Sequence, residues 1–331
     1  MQDVAKATDM LDSAIKWTRA LKRDLFNDLP YAFDGNLITV AMYRPYVKRF
    51  LYFSRQLNEM QNMMRAYFGD RGNLTNKSIV FTDPTSEKPF MVLATDCCPD
   101  MHLVGAASGS VVVGRKRLSD GVEVDNITDW ALEEFRSHYG NLLPGQERHL
   151  ITKDEIFHYV YGTLHDPIYR DTYAQNLKRE LPHVPLYDDF RRWADWGEML
   201  MNLHIGYEAI EPWPLRRLDI VDAKAQQAGL APKTMLKADI DLGIIHLDSE
   251  TQLSGVPREA WDYRLGNRSA LEWILDQHKE KTPKDPTIRE KFNTYRFANH
   301  KENVIDLLMR VTRVSVETVA IVEAMRRLPR D

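Results

Sequence analysis

The chain has 331 residues, with 44 Lys+Arg against 48 Asp+Glu and a net charge of −4. Its 44% hydrophobic and 28% charged residues are those of a folded globular protein, which excludes collagen-like, disordered and low-complexity classes. The balance excludes a protein that coats nucleic acid by bulk charge alone. The adjacent Cys97 and Cys98 are the only cysteines; they exclude a disulfide framework or a CxxC zinc site and suit a reducing cytoplasm.

Val4, Ala7, Leu11, Ala14, Ile15, Thr18, Leu21 and Leu25 recur at helical spacing, so residues 2–25 are expected to form an amphipathic helix ended by Pro30 and Gly35. Leu37 to Met42 is a short strand-like run. Four more such runs follow: Ser78–Thr82, Phe90–Thr95, His102–Val104 and Ser110–Val113. Turn-forming segments separate them, so an antiparallel meander is expected.

A helix is expected from Asn126 to Tyr139, closed by Gly140. Thr152-Lys-Asp-Glu155 is a capping-box pattern that opens the next helix. Asp166-Pro167 breaks it and starts another. A third helix begins near Asp188 and carries His204 on its apolar stripe. Thr234–Ile240 and Gly243–Leu247 suggest a hairpin. Ser269–Gln277 and residues 300–327 are helical, the latter with a break expected at Thr312–Val316, where β-branched residues crowd. The pattern predicts an α+β fold: residues 1–36 as an N-terminal helix, 37–125 as a β-rich part with short antiparallel strands, and 126–331 as a mostly helical part with a hairpin near 234–247.

The common catalytic signatures are missing. The sequence contains no P-loop, no G-x-G-x-x-G after a strand, no H-E-x-x-H and no G-x-S-x-G. Asp166-Pro-Ile-Tyr169 is a near-match to the Asp-Pro-Pro-Tyr loop of adenine N6-methyltransferases. It follows a capped helix rather than a strand, so a plain helix–helix junction is the better reading. His158, His165 and His204 are scattered and read as core or surface residues.

The most informative segment is Tyr43 to Arg55, with four basic and five aromatic residues and no acid nearby. Guanidinium groups bind phosphates and aromatic rings stack on bases, so Arg44, Tyr46, Lys48, Arg49 and Arg55 are candidate nucleic-acid contacts. The alternative is an amphipathic helix with core aromatics and solvated cations. Arg115-Lys116-Arg117 forms a second basic knot after a strand, where a solvated turn is the equal reading. Arg264-Leu-Gly-Asn267-Arg268 precedes a helix and suits a phosphate, though either arginine could pair with Glu272 instead.

Several segments then occur in a specific order. YRPYVKRFLYFSRQLNEM, NITDWALEEFRSHYG, the long run from ITKDEIFHYVYGTLHDPIYR to LHIGYE followed by IEPWPL, WDYRLGNRSALEWILDQ and KDPTIREKFNTYRF together resemble the C-terminal region of type ISP restriction-modification enzymes. The resemblance covers roughly residues 37 to 326. It implies a target recognition domain that binds double-stranded DNA sequence-specifically, beside methyltransferase and helicase modules of the same or a neighbouring polypeptide, in a bacterial or archaeal cytoplasm. Residues 1–36 would then lie at the junction to the methyltransferase. The resemblance implies that ATP, Mg and S-adenosylmethionine belong to those other modules, and that this segment holds no cofactor, metal or catalytic residue. It assigns Arg44, Lys48 and Arg49 to the DNA backbone. Base readers are expected in the loops at 83–88, 114–121 and 248–258. The alternatives are a scaffold that docks onto the motor and methyltransferase, or a divergent methyltransferase.

Overall fold

A computed structural model describes residues 17–329, apart from 59–60, 141–150, 222, 285 and 287. Residues 2–16 of the expected N-terminal helix lie outside the described residues. Its described part is helix α1 (Arg19–Phe26), N-capped by Thr18.

The front of the molecule is built from short strands. The hairpin β1 (Ile38–Arg44) and β2 (Val47–Tyr52) is followed by α2 (Met64–Phe68). Strands β3 (Ser78–Thr82) and β4 (Val92–Thr95) come next, then β5 (Cys98–Pro99) and β6 (Ser110–Gly114). The hairpin β7 (Lys116–Ser119) and β8 (Val122–Asp125) completes this part. The strands are not a simple meander. One antiparallel sheet has the order β4-β3-β6, whereas β5 leaves it to run parallel to β1 in the order β2-β1-β5. The expected strand at 102–104 is a turn.

The helical middle contains α3 (Asp129–Tyr139), α4 (Lys153–Thr163), α5 (Pro167–Thr172) and α6 (Phe190–Ile205). The Thr152 cap is a capping box. The Glu155 amide donates to Thr152 Oγ1 at 3.2 Å, and the Thr152 amide donates to Glu155 Oε2 at 2.8 Å. Helices α4 and α6 cross at two glycines. A Cβ on Gly197 would sit 1.7 Å from the His158 carbonyl oxygen, and one on Gly162 would sit 2.4 Å from that of Trp193. Only glycine permits this backbone approach.

The tail mixes strands and helices. Strand β9 (Arg216–Asp219) and helix α7 (Ala223–Gln227) precede β10 (Thr234–Asp239), β11 (Ile244–Asp248) and β12 (Thr251–Ser254). The sheet order is β10-β11-β12-β9, so the expected hairpin is the edge pair of a larger sheet. The small hairpin β13 (Arg264–Leu265) and β14 (Arg268–Ser269) leads into α8 (Ala270–Gln277). Helix α9 (Lys301–Arg327) runs unbroken. The crowded Thr312 and Ser315 donate their hydroxyls to the carbonyls of Leu308 and Val311, each at 2.7 Å. This internal satisfaction lets buried hydroxyls stay within a helix.

Two large cores tie these parts together. One joins Met42, Val80 and Leu93 to Ile245, Leu271 and Leu308; the other joins Ile79 and Ala94 to Tyr159, Trp193 and Met325. Near their meeting point lies a polar network with no solvent access. His204 shares a hydrogen bond through Nδ1 with the Tyr161 hydroxyl at 2.5 Å and another through Nε2 with the Thr318 hydroxyl at 2.9 Å. Desolvation by burial, reinforced by the Arg170 charge, pushes the His204 pKa down to about 3, so the imidazole is neutral. The His204 ring stacks on Tyr263 at 5.2 Å.

Among the described residues, no helix is long and apolar enough to cross a membrane. Nor does any group of three or more His, Cys, Asp or Glu side chains among them have metal-ligating placement.

Candidate nucleic-acid interface

The segment 43–55 folds as strand, tight turn and strand, which replaces the helix that its amphipathic pattern left open. Pro45 and Tyr46 form the turn, and Arg44 pairs with Val47 across it. Tyr46 has φ +60°, a conformation unfavourable for a side chain with a Cβ. Burial and ring contacts hold it there. Tyr46 is 1% exposed, shares a hydrogen bond with the Tyr263 hydroxyl at 3.0 Å, and meets the Tyr207 ring edge-on at 5.0 Å. Tyr46 is therefore corrected from a nucleic-acid contact to a core anchor. The turn is pinned to the neutral His204–Tyr263 stack, and that pin fixes where the flanking cations sit.

Lys48 and Arg49 follow the turn on β2. Two clefts adjoin here. One, of about 650 Å³, lies between the β1–β2 hairpin and the 72–75 turn. The other, of about 790 Å³, lies between β2, the end of α8 and the start of α9. Lys48, Arg49 and Glu208 line both. Lys48 is tied to Glu208 at 2.6 Å. Arg49 is exposed; its guanidinium reaches the Lys48 carbonyl oxygen at 3.2 Å and has no carboxylate partner among the described residues. Phe50, beside it, is 84% exposed. Arg44 is held over the Tyr43 ring at 4.1 Å and lies 3.4 Å from Asp100. Arg55 is exposed just beyond β2.

The second basic knot divides. Arg115 is 8% exposed and grips Asp125 and Asp154, each at 2.6 Å. This buried clamp joins the strand region to the start of α4, so Arg115 is corrected from a surface contact to a structural one. Lys116 is exposed and paired with Glu123 at 2.6 Å. Arg117 is half-buried on β7, without an ion pair among the described residues. The hairpin tip that follows, Asp120-Gly121, has both φ angles positive, at 52° and 79°, as a tight two-residue hairpin turn requires.

The third segment fulfils its alternative reading in part. Arg268 pairs with Asp276 at 2.9 Å and lies over Trp273 at 4.9 Å. Arg264 approaches Glu272 at 3.8 Å and donates to the Asn267 carbonyl at 2.5 Å. Asn267 is exposed at the tip of the β13–β14 hairpin. Both arginines thus brace α8 while remaining partly open to solvent.

Of the loops expected to read bases, 83–88 is a turn in which Asp83 accepts the Thr85 amide at 2.8 Å. The range 114–121 is largely strand and contains β7, and 248–258 contains β12 between a bend and an irregular stretch. Asp166 and Tyr169 of the methyltransferase-like near-match lie in a buried junction. Asp166 accepts from the Ile168 amide at 2.9 Å and from the Tyr187 hydroxyl at 2.5 Å, and Tyr169 donates to the His183 carbonyl at 3.0 Å. Both side chains hold helix α5 in place.

The structure adds residues that the sequence reading missed. His278, Tyr295, His300 and Arg310 line the larger cleft with Lys48 and Arg49. They are separated by most of the chain from β2 and form no motif among themselves.

Comparison with known proteins gives a consistent result. The family model described as "Type ISP C-terminal specificity domain" matches residues 2–307. No curated protein matches. Among solved structures, the chain is similar to one in the cryoEM structure of a DrdV–DNA complex, with 44% identity and a TM-score of 0.89 over 99% of this chain and 32% of that one. It is also similar to a nuclease-deletion mutant of the Type ISP restriction-modification enzyme LlaGI in complex with a DNA substrate mimic, with 27% identity and a TM-score of 0.75 over 95% of this chain and 27% of that one. The ATP-dependent Type ISP enzyme LlaBIII bound to DNA shares the fold at 21% identity and a TM-score of 0.77, over 96% of this chain and 20% of that one. The chain thus spans about a third of DrdV or less of the others. It belongs to the Type ISP C-terminal specificity domain family.

Proposed function

We propose that this chain is a DNA target recognition domain: it binds duplex DNA and selects a sequence for methyltransferase and helicase modules that act on the same DNA. The observation that carries the reading is the pair of adjoining clefts with Lys48 and Arg49 at their junction, on a chain similar to proteins solved with DNA. In this reading Arg44, Lys48, Arg49 and Arg55 hold sugar–phosphate backbone, which sets register without reading sequence. In the same reading Arg117, Lys116 and Asn267, on the β7–β8 and β13–β14 hairpins, and the 83–88 turn contact base edges. Arg264 and Arg268 contribute through their exposed faces. Adenine N6-methylation and restriction are activities of the larger assembly in this reading, and ATP, Mg and S-adenosylmethionine are used there.

The test is fluorescence anisotropy with a labelled duplex over a salt series. Saturable binding whose affinity falls linearly on a log–log plot with salt supports the reading. Absence of binding at low salt contradicts it.

A second reading, docking onto the rest of a larger polypeptide, is favoured by one observation. Phe26, Phe33 and Phe50 are 63%, 78% and 84% exposed along the N-terminal third, and a docked module would remove such apolar rings from water. Residues 1–36 would form the junction with the methyltransferase. The two readings are compatible, and crosslinking from Phe33 to a methyltransferase supplied in trans, independent of DNA, tests the second.

A further inference from the structure

The larger cleft holds a feature that duplex binding through Lys48 and Arg49 does not explain. His278 is only 8% exposed, yet it lines this cleft. Its Nδ1 donates to the Ile274 carbonyl at 2.8 Å, which caps the C-terminal end of α8. The proton is therefore on Nδ1, and Nε2 is left with no partner among the described residues. A neutral imidazole in this tautomer offers a lone pair there; a protonated one offers a second donor.

The cleft also borders the start of α9, a helix of 27 residues. Its N-cap residue, His300, makes no side-chain capping bond. His300 instead stacks on Tyr295 at 5.1 Å and 7°. Free first-turn amides on a long helix favour an anion. The acids nearby are committed. Glu208 is tied to Lys48 at 2.6 Å and Asp306 to Arg310 at 2.7 Å, and Glu302 in the first turn of α9 is tied to Arg217 at 2.7 Å. Glu280 accepts from the Phe297 amide at 3.0 Å and the Thr234 hydroxyl at 3.2 Å. Asp276 lies between Arg268 and Lys281. Among the charged groups of the cleft, Arg49 is left without a carboxylate.

We infer that this cleft is a binding site for one tetrahedral oxyanion of the phosphate class, held by Arg49 and by His278 in its protonated form, beside His300 and the first turn of α9. Resting on the duplex reading, the occupant is a backbone phosphate; a free oxyanion shares the chemistry. Occupancy takes up a proton on His278. In the empty site burial holds the His278 pKa below its usual value, opposed by the hydrogen bond to the Ile274 carbonyl and reinforced by the Arg49 and His300 charges. An anion reverses the electrostatic part of that shift. Affinity is therefore highest at mildly acidic pH. It falls as pH rises between the empty-site and occupied-site values, by up to about tenfold per pH unit for one linked proton.

The test uses sulfate, whose charge is constant over this range, and a short duplex as separate arms, read by the imidazole NMR signals of the whole chain. Sulfate is expected to move the His278 and His300 signals saturably and to raise the pH at which His278 titrates by about one pH unit or more. Arg49→Gln, at an exposed position, is expected to weaken sulfate at least several-fold with an unchanged melting curve. His278→Gln is expected to remove the pH dependence. Imidazole signals that sulfate and duplex both leave in place overturn the site. Duplex binding with unmoved imidazoles overturns the site alone and leaves the duplex reading standing. Sulfate binding without any duplex binding supports the site as one for a free oxyanion and removes the duplex reading.

Discussion

Lys48, Arg49 and Glu208 allow a quantitative prediction, because only one of the two cations is paired. Arg49 has no carboxylate partner, so Arg49→Ala leaves no internal charge uncovered. If Arg49 neutralises one phosphate, its loss lowers the log–log salt slope by about 0.9. The ratio of wild-type to variant affinity then shrinks by about 3.5-fold as salt rises from roughly 50 to 200 mM. Lys48→Met differs, because it also releases the Glu208 carboxylate from a 2.6 Å pair. A uncompensated carboxylate roughly 8 Å from a phosphate repels it by about 0.5 kcal/mol in water, a further loss of about twofold. Glu208→Gln alone is expected to tighten binding by a similar factor, and the double variant to bind better than Lys48→Met. The assay is anisotropy with one duplex at four salt concentrations. Equal salt slopes for wild type and Arg49→Ala would refute the phosphate assignment, as would a double variant no better than Lys48→Met.

Other predictions follow from the interior. Arg115→Met is expected to cost about 2 kcal/mol of stability, discounted because the Asp125 and Asp154 side chains are 39% and 70% exposed. It should leave the salt slope of the folded protein unchanged; a lowered slope would return Arg115 to the interface. Gly197→Ala forces the α4–α6 backbones apart and should cost about 3 kcal/mol or more, which a denaturant midpoint near wild type would contradict. Acid should unfold the protein early. His204 and His165 have folded-state pKa values lowered first by burial, His204 to about 3, so both charge more readily when unfolded. Their contribution is fully present above the unfolded value near 6.5 and is lost as pH falls below it. The expected slope approaches about 1.4 kcal/mol per pH unit for each histidine. Urea midpoints that do not change between neutral pH and the onset of acid unfolding would contradict this burial.

Much of the fold is legible in the sequence where a local rule decides it. The Thr152 and Asp166-Pro167 helix starts follow from side-chain capping chemistry, and the helix expected at Ser269–Gln277 forms from Ala270 behind a Ser269–Glu272 capping box. Reading fails where tertiary partners decide. The 43–55 segment is strand because Tyr46 is drawn into the core at a strained turn. Cys98-Pro99 pairs with β1 rather than with its sequence neighbours. Residues 312–316 stay helical because their hydroxyls bond within the helix. The site shows the same division. Its basic and aromatic composition near Arg49 is visible in the sequence, but burial is not, and burial is what moves Tyr46 and Arg115 inside. His278 and His300 join the cleft only through folding.

The central claim is that this chain itself distinguishes one duplex sequence from another. Selection from a randomised duplex pool, sequenced after several rounds at a low and a high salt concentration, tests it most directly. The account predicts one enriched motif, the same at both salts and sharper at the higher one, where backbone attraction is screened. Retention of the pool with no enriched motif at either salt would contradict it.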